Sequence, residues 1–174
     1  MNKINSKFFG YFFPICLILI LSFSRIVPHP PNFTPVLAVG IFSGFYFRNL
    51  FLGTLIVIFS MFIGDLFLGF HSTMFFTYIS LTVAVVIGFL IKKLKFKEIL
   101  ISGVVGSLLF FLITNFGVWI LSGMYENNLN GLLQSYLLAI PFFHNTLIST
   151  LIYLFVFKLF FNFTVKKKII SFPV

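Results

Sequence analysis

The sequence has few charged residues and a single cysteine, and both shortages exclude classes of protein. Charged residues make up 9% of its 174 positions, whereas a soluble domain carries about 25%. The chain is therefore neither a water-soluble globule nor a disordered segment, because both need far more polar surface. One cysteine cannot form an internal disulfide, which also excludes a secreted disulfide scaffold. We interpret Cys16, which lies in an apolar stretch, as a small packed hydrophobe.

Motifs that carry chemistry are also missing from the sequence. No glycine-rich loop ends in Gly-Lys-Ser/Thr, so the chain does not hydrolyse ATP itself. It contains no His-Glu-x-x-His and no cysteine pair with zinc spacing. Ser43 lies between Gly40 and Gly44 without the spacing of a hydrolase nucleophile, and the glycine pair instead predicts close helix packing. We therefore predict no enzyme activity, no metal centre and no cofactor.

Long apolar runs are what the chain has in abundance. Hydrophobic residues make up 60% of the sequence, and its mean hydropathy is +1.13. Only a lipid bilayer lets a chain of this size keep so many apolar side chains away from water, and a span takes about 20 residues. We predict an all-α, polytopic membrane protein with one transmembrane domain over residues 1–174. Its six spans are expected at about residues 8–23, 33–47, 50–70, 73–91, 99–121 and 141–163.

The segments between these runs contain helix-breaking or charged residues. Four prolines in residues 25–35 exclude a helix there and favour an extended loop. Residues 92–98 form a charged connection, and residues 123–131 form a polar loop. A short amphipathic segment is expected at residues 132–139. Pro141 suits the first position of the last span, where its missing N–H has no partner in any case.

The basic residues predict the orientation of the spans. If the N-terminus is cytoplasmic, only Arg25 of the 12 lysines and arginines lies outside. This positive-inside pattern predicts an even number of spans, with both termini in the cytoplasm. Because the bases are scattered between apolar runs, we expect no nucleic-acid partner. The bases expected inside are Lys3, Lys7, Arg48, Lys92, Lys93, Lys95, Lys97, Lys158, Lys166, Lys167 and Lys168.

Most polar side chains, including all three histidines, then fall on the outer side. Polar groups inside hydrocarbon are costly and need a partner, a cavity or a ligand. We predict an outward-facing cup with residues 25–35 as its lid, in which Asp65, Asn115 and Asn145 converge. The candidate substrate-binding residues are Arg25, His29, Asn32, Asp65, Asn115, Trp119, His144 and Asn145.

Several of these residues allow two interpretations. Asp65, the only acid within a predicted span, either pairs with Arg25 or contacts a ligand or proton. Trp119 is either an interfacial anchor or a surface on which a ligand stacks. Asn145 begins a polar stripe that either connects helices or faces the cup. His144 is either satisfied at the end of its helix or part of the binding site.

Four blocks of the sequence resemble a family of small bacterial membrane proteins regarded as transport proteins. They are RIVPHPPNFTPVLAVGIF (25–42), GDLFLGFH (64–71), FFLITNFGVWI (110–120) and AIPFFHNTLIST (139–150). That family in turn is similar to the substrate-binding S-components of energy-coupling-factor transporters. The resemblance implies six helices, an outward pocket for a vitamin or other micronutrient, and a membrane coupling partner with paired ATPases. Unlike many S-components, this chain has no Ala-x-x-x-Ala pattern in its first span.

The function predicted from these features is uptake of a small nutrient by a substrate-binding transport subunit in the inner membrane. The ligand is expected to bind the outer cup, and a partner would then reorient the subunit. The alternative is a non-transporting assembly subunit whose polar outer loops bind another protein. A transport subunit should retain a small molecule, whereas an assembly subunit should co-purify with a stoichiometric partner.

Overall fold

Every regular element in the described part of the chain is a helix, which confirms the predicted all-α class. The computed structural model describes residues 16–21 and 23–166. The predictions for Lys3, Lys7, Lys167 and Lys168, and for residues 8–15 and 22 of the first span, lie outside the described residues. The helices are α1 (Cys16–Ile26, around position 22), α2 (Val36–Phe47), α3 (Leu50–Leu68), α4 (Met74–Leu90), α5 (Phe96–Leu121), α6 (Leu129–Leu137) and α7 (Ile140–Lys166).

Helix α2 is shorter than the predicted span at residues 33–47. It begins only after Pro35, because the four prolines hold the preceding segment out of helical geometry. Its 12 residues extend about 18 Å at 1.5 Å per residue, well below the thickness of about 30 Å of a hydrocarbon core. Ten of the 12 residues are buried by protein. Helix α2 is therefore a central helix of the bundle.

Glycines let α2 approach α4 very closely. A methyl group on Gly88 would collide with the backbone carbonyl of Ile41, and one on Gly44 with that of Val85. A methyl group on Gly40 would lie 3.2 Å from the side-chain Cβ of Ala84 and 3.5 Å from the backbone oxygen of Leu81, without such a collision. The close packing predicted from the Gly40–Gly44 pair is confirmed, and it places the α2 backbone in direct contact with α4.

Two asparagine caps determine where helices begin. The side chain of Asn49 accepts a hydrogen bond from Leu52 N (3.0 Å) at the start of α3. Asn128 accepts one from Gly131 N (2.8 Å), so α6 begins at Leu129 rather than at the predicted residue 132. The charged connection at residues 92–98 is also shorter than predicted, because α5 begins at Phe96.

In the described part of the chain, three helices are long and apolar enough to cross a membrane. They are α3, α5 and the part of α7 from Ile140 to Phe163, with mean hydropathies of 2.2, 2.2 and 1.8. Helices α1, α2 and α4 are apolar but shorter. Large apolar side chains also point outward, among them Phe51 (77% exposed) and Phe67 (73% exposed). Such a surface indicates a lipid environment, since water-soluble monomers rarely expose extended apolar patches.

The two ends of the bundle differ in composition. At one end Arg48 donates hydrogen bonds to Phe89 O (2.9 Å) and Lys92 O (3.2 Å), next to the exposed Lys93, Lys95 and Lys97. At the opposite end the connections α1–α2, α3–α4 and α5–α6 meet. Every histidine of the sequence lies in or next to these connections or at the start of α7. The candidate site is at this second end.

Candidate functional site

A cavity of about 580 Å³ opens at the loop end of the bundle. Its wall combines the α1–α2 connection with residues of α3 and α4 on one side, and with α5, α6 and the start of α7 on the other. Pockets that enclose small molecules measure about 300–1,000 Å³. The cavity therefore has room for a ligand of drug-like size.

The proline-rich connection supplies one wall of the cavity. Arg25, His29 and Asn32, all predicted as binding residues, line it. The connection is held in place because Asn145 Nδ2 donates to Pro31 O (2.9 Å) across 114 positions of sequence. The cavity-facing Asn32 adopts a left-handed backbone conformation (φ 60°), which asparagine tolerates better than most residues. This fixed segment can position its side chains without relying on helical structure.

Arg25 and Asp65 form a buried ion pair at the edge of the cavity. Asp65 is fully buried, and its Oδ1 lies 2.7 Å from Nη1 of Arg25. Nη1 donates a hydrogen bond to Met61 O (2.8 Å), whereas its short contact with Asp65 Oδ1 is an ion pair without a hydrogen bond of good angle. The other carboxylate oxygen, Oδ2, accepts a hydrogen bond from Tyr78 Oη (2.6 Å). The structure therefore shows Asp65 paired with Arg25, which is one of the two interpretations of this residue.

Gly64 has no side chain, and this leaves the space through which Arg25 reaches Asp65. A methyl group there would clash with Arg25 Nη1 and would lie 3.2 Å from its Cδ and Cζ atoms. The guanidinium therefore crosses α3 directly over Gly64 on its way to Asp65. As a result Arg25, 15% of whose side chain is exposed, stands between the carboxylate and the cavity.

The helical wall of the cavity presents hydrogen-bond acceptors. Its hydroxyl groups and one N–H of the Asn115 amide donate to backbone carbonyls three or four residues earlier in the same helix, whereas the second amide N–H of Asn115 is not used in this way. The lone pairs of the hydroxyls and the amide oxygen of Asn115 are left to face a ligand. These internal bonds run from Thr114 to Phe110 O (2.8 Å), from Asn115 to Phe111 O (2.8 Å), from Ser135 to Leu132 O (2.8 Å) and from Thr146 to Phe142 O (3.0 Å).

Phenylalanine rings form the apolar part of the lining. Phe110 and Phe111 on α5 face Phe142 and Phe143 on α7, and the rings of Phe111 and Phe143 are 5.1 Å apart between centroids. These four phenylalanines were not among the binding residues predicted from the sequence. In a membrane helix a cavity-facing phenylalanine has the same sequence signature as a lipid-facing one, so no periodic signal distinguishes the two.

Four of the predicted binding residues lie outside the lining, namely Asp65, Trp119, His144 and Asn145. Trp119 Nε1 donates to Glu126 O (2.9 Å) and thereby ties α5 to the following loop. The ring of His144 packs against Phe143 at 6.3 Å, and Asn145 contacts the proline-rich connection as described. Of the residues expected to converge, Asn115 reaches the lining, whereas Asp65 lies behind Arg25. His71 and Tyr125, which were not predicted, do line the cavity.

Arg25 is the one side chain with a permanent charge on the part of the lining that the described residues form. The ionisable lining residues of the cavity are Arg25, His29, His71 and Tyr125, and within residues 16–21 and 23–163 no carboxylate reaches the lining. The same part of the chain holds no group of three histidine, cysteine or acidic side chains arranged for a metal ion. The lining hydroxyls of Thr77, Thr114, Ser135 and Thr146 donate to backbone carbonyls three or four residues earlier. The arrangement suits recognition of a small molecule.

Fold and cavity together define an all-helical protein of membrane type with a ligand-sized cavity at one end of its bundle. The chain belongs to the DUF6580 family, described as a family of unknown function, whose profile matches residues 5–172. No curated protein matches the chain significantly, and neither does any solved structure.

Proposed function

We propose that the protein is a substrate-binding transport subunit of the bacterial inner membrane, similar to an S-component, that takes up a small nutrient from outside the cell. In this proposal six segments cross or enter the membrane, with both termini in the cytoplasm. The proline-rich connection closes over the ligand, and a membrane partner with ATPase subunits supplies the energy. The one observation that carries the proposal is the cavity of about 580 Å³ at the loop end.

Charge distribution supports the orientation. The cavity lies at the end opposite to Arg48 and the lysines of the α4–α5 connection. Basic residues concentrate on the cytoplasmic side of membrane proteins. A cavity at the other end then faces the exterior, where a nutrient is captured.

The internal hydrogen bonding supports binding without catalysis. A serine or threonine becomes a nucleophile when an adjacent base removes its proton. The lining hydroxyls of Thr114, Ser135 and Thr146 donate to backbone carbonyls instead. The proposal therefore assigns them to ligand contact.

Native mass spectrometry of the protein purified in mild detergent tests the proposal. We expect a small molecule to be retained by the wild type and lost from Thr114→Phe, which places a ring in the cavity. Thr82→Phe is the matched control, because Thr82 also donates to a carbonyl of its own helix (Tyr78 O, 3.0 Å) but does not line the cavity. Co-purification of a stoichiometric protein, with no small molecule retained, would instead support the assembly subunit.

A further inference from the structure

The polar side chains on the two walls of the cavity limit what can bind there. The helical wall offers lone pairs, as described for Thr114, Asn115 and Thr146. The opposite wall offers the guanidinium of Arg25, which has five N–H donors and no acceptor. A bound molecule that satisfies Arg25 must therefore carry an acceptor at that end, and donors at its other end can pair with the lone pairs of the helical wall.

Arg25 lines the cavity and keeps donors that have no partner among the described residues. Within the described residues only Nη1 has partners, namely Met61 O and Asp65. The N–H groups of Nε and Nη2 have none. These two nitrogens form the edge of the guanidinium that pairs with a carboxylate or phosphate through two parallel hydrogen bonds.

Asp65 does not compete for the same space. Its side chain is fully buried, and it does not line the cavity. A cationic ligand would therefore meet Arg25 before it could reach the carboxylate. An anionic ligand would meet Arg25 directly, with the neighbouring Asp65 lowering but not removing the positive potential.

We infer that the ligand is a water-soluble organic anion whose carboxylate or phosphate binds the free edge of Arg25. An aromatic or other apolar body lies among Phe110, Phe111, Phe142 and Phe143, and its N–H or O–H groups face Thr114 and Asn115. This inference rests on the proposed function, since it names the chemical class of the nutrient.

The test identifies the molecules that the purified protein takes from a bacterial metabolite extract. Wild type, Thr114→Phe and Thr82→Phe are incubated with the extract in detergent, and bound molecules are identified by liquid chromatography and mass spectrometry. We expect carboxylates or phosphates with an apolar ring to be enriched by wild type and Thr82→Phe but not by Thr114→Phe. If Thr114→Phe does not fold, Asn115→Leu replaces it, because it removes the amide oxygen and adds bulk at the same wall.

Asp65→Asn then tests whether the anion binds at Arg25. Removing the neighbouring negative charge while keeping an acceptor for Tyr78 should lower the dissociation constant of the enriched anion about tenfold. Unchanged or weaker binding by Asp65→Asn overturns the assignment to Arg25. Enrichment of neutral or cationic molecules overturns the inference but leaves the proposed function standing.

Two further results complete the set of outcomes. If no molecule distinguishes wild type from the cavity-filling variant, the proposed function fails and the inference fails with it. Chloroform extraction of the bound fraction separates lipids from water-soluble acids. An anionic phospholipid in the organic phase would overturn the inference of a soluble ligand.

Discussion

Asp65 has no contact with solvent and depends on two neighbours to remain in the bundle. Arg25 supplies the opposite charge, and the hydroxyl of Tyr78 supplies a hydrogen bond. A buried ion pair adds little to stability over an apolar pair, but removal of one partner is costly because the other charge is left alone. The energetic role of Arg25 is therefore to permit the burial of Asp65.

Arg25→Gln should lower the free energy of unfolding by about 3–5 kcal/mol, because it leaves the Asp65 carboxylate buried without a cation. The double variant Arg25→Gln/Asp65→Asn should recover most of this loss, since two neutral amides replace the two charges. Thermal unfolding of the purified proteins in the same detergent measures both. A double variant no more stable than Arg25→Gln alone would show that the charge of Asp65 is not the cause.

At the residue scale the sequence predicted which side chains are polar and at which end of the bundle they lie. It did not predict where each one points. Asn145 and Asn115 both lie in apolar segments near the same end, yet Asn145 binds Pro31 O while Asn115 lines the cavity. Helical periodicity gives the faces of one helix, whereas these contacts depend on how the helices rotate against each other.

The contact between α2 and α4 is the tightest constraint at the scale of elements. Two backbones meet at Gly44 and Gly88, with no room for side chains. Small residues allow this approach, which membrane helices use because burial of apolar side chains gains little in lipid.

Gly88→Ala should therefore prevent the native packing of α2 on α4 and give an aggregated or unfolded product. Gly40→Ala is the matched control in the same interface, because its methyl group would lie 3.2 Å from Ala84 Cβ and 3.5 Å from Leu81 O and so would not collide with the α4 backbone. Size-exclusion chromatography in detergent distinguishes the two, with a single symmetrical peak expected for Gly40→Ala alone. Equal behaviour of the two variants would contradict backbone contact at Gly88.

The cap of α6 gives a second prediction at this scale. Asn128→Ala removes the hydrogen bond to Gly131 N and should cost about 1 kcal/mol of stability. Asn127→Ala, one residue earlier and exposed, is the control and should be nearly neutral. Thermal unfolding in detergent compares them, and a loss of the same size in both variants would exclude a specific capping role.

Helix boundaries were predicted best where a breaker residue fixes them. The prolines before α2 and the Arg48–Asn49 turn gave the limits of the neighbouring helices to within a few residues. The start of α6 was placed three residues late, because Asn128 was treated as part of a polar loop although asparagine is a strong N-cap. Composition alone also predicted too great a length for α2, whose apolar residues are buried by protein rather than by lipid.

The whole molecule has one basic end and one end that carries the cavity. The sequence predicted this difference between the two ends, because the lysines and the histidines lie near opposite ends of the helices. The size of the cavity was not predictable, since it arises from gaps between helices that have no signature in any one of them. The proposed function requires that the cavity is open to water on the outer side of the membrane.

Cysteine labelling in intact cells tests this claim most directly. In a Cys16→Ala background, single substitutions Thr114→Cys in the cavity wall, Asn127→Cys in the α5–α6 loop and Lys95→Cys at the basic end are exposed to a membrane-impermeant thiol reagent. We predict labelling of the first two in intact cells, and labelling of Lys95→Cys only after the cells are permeabilised. Labelling of Lys95→Cys in intact cells while Thr114→Cys and Asn127→Cys stay unreacted would contradict an outward-facing cavity.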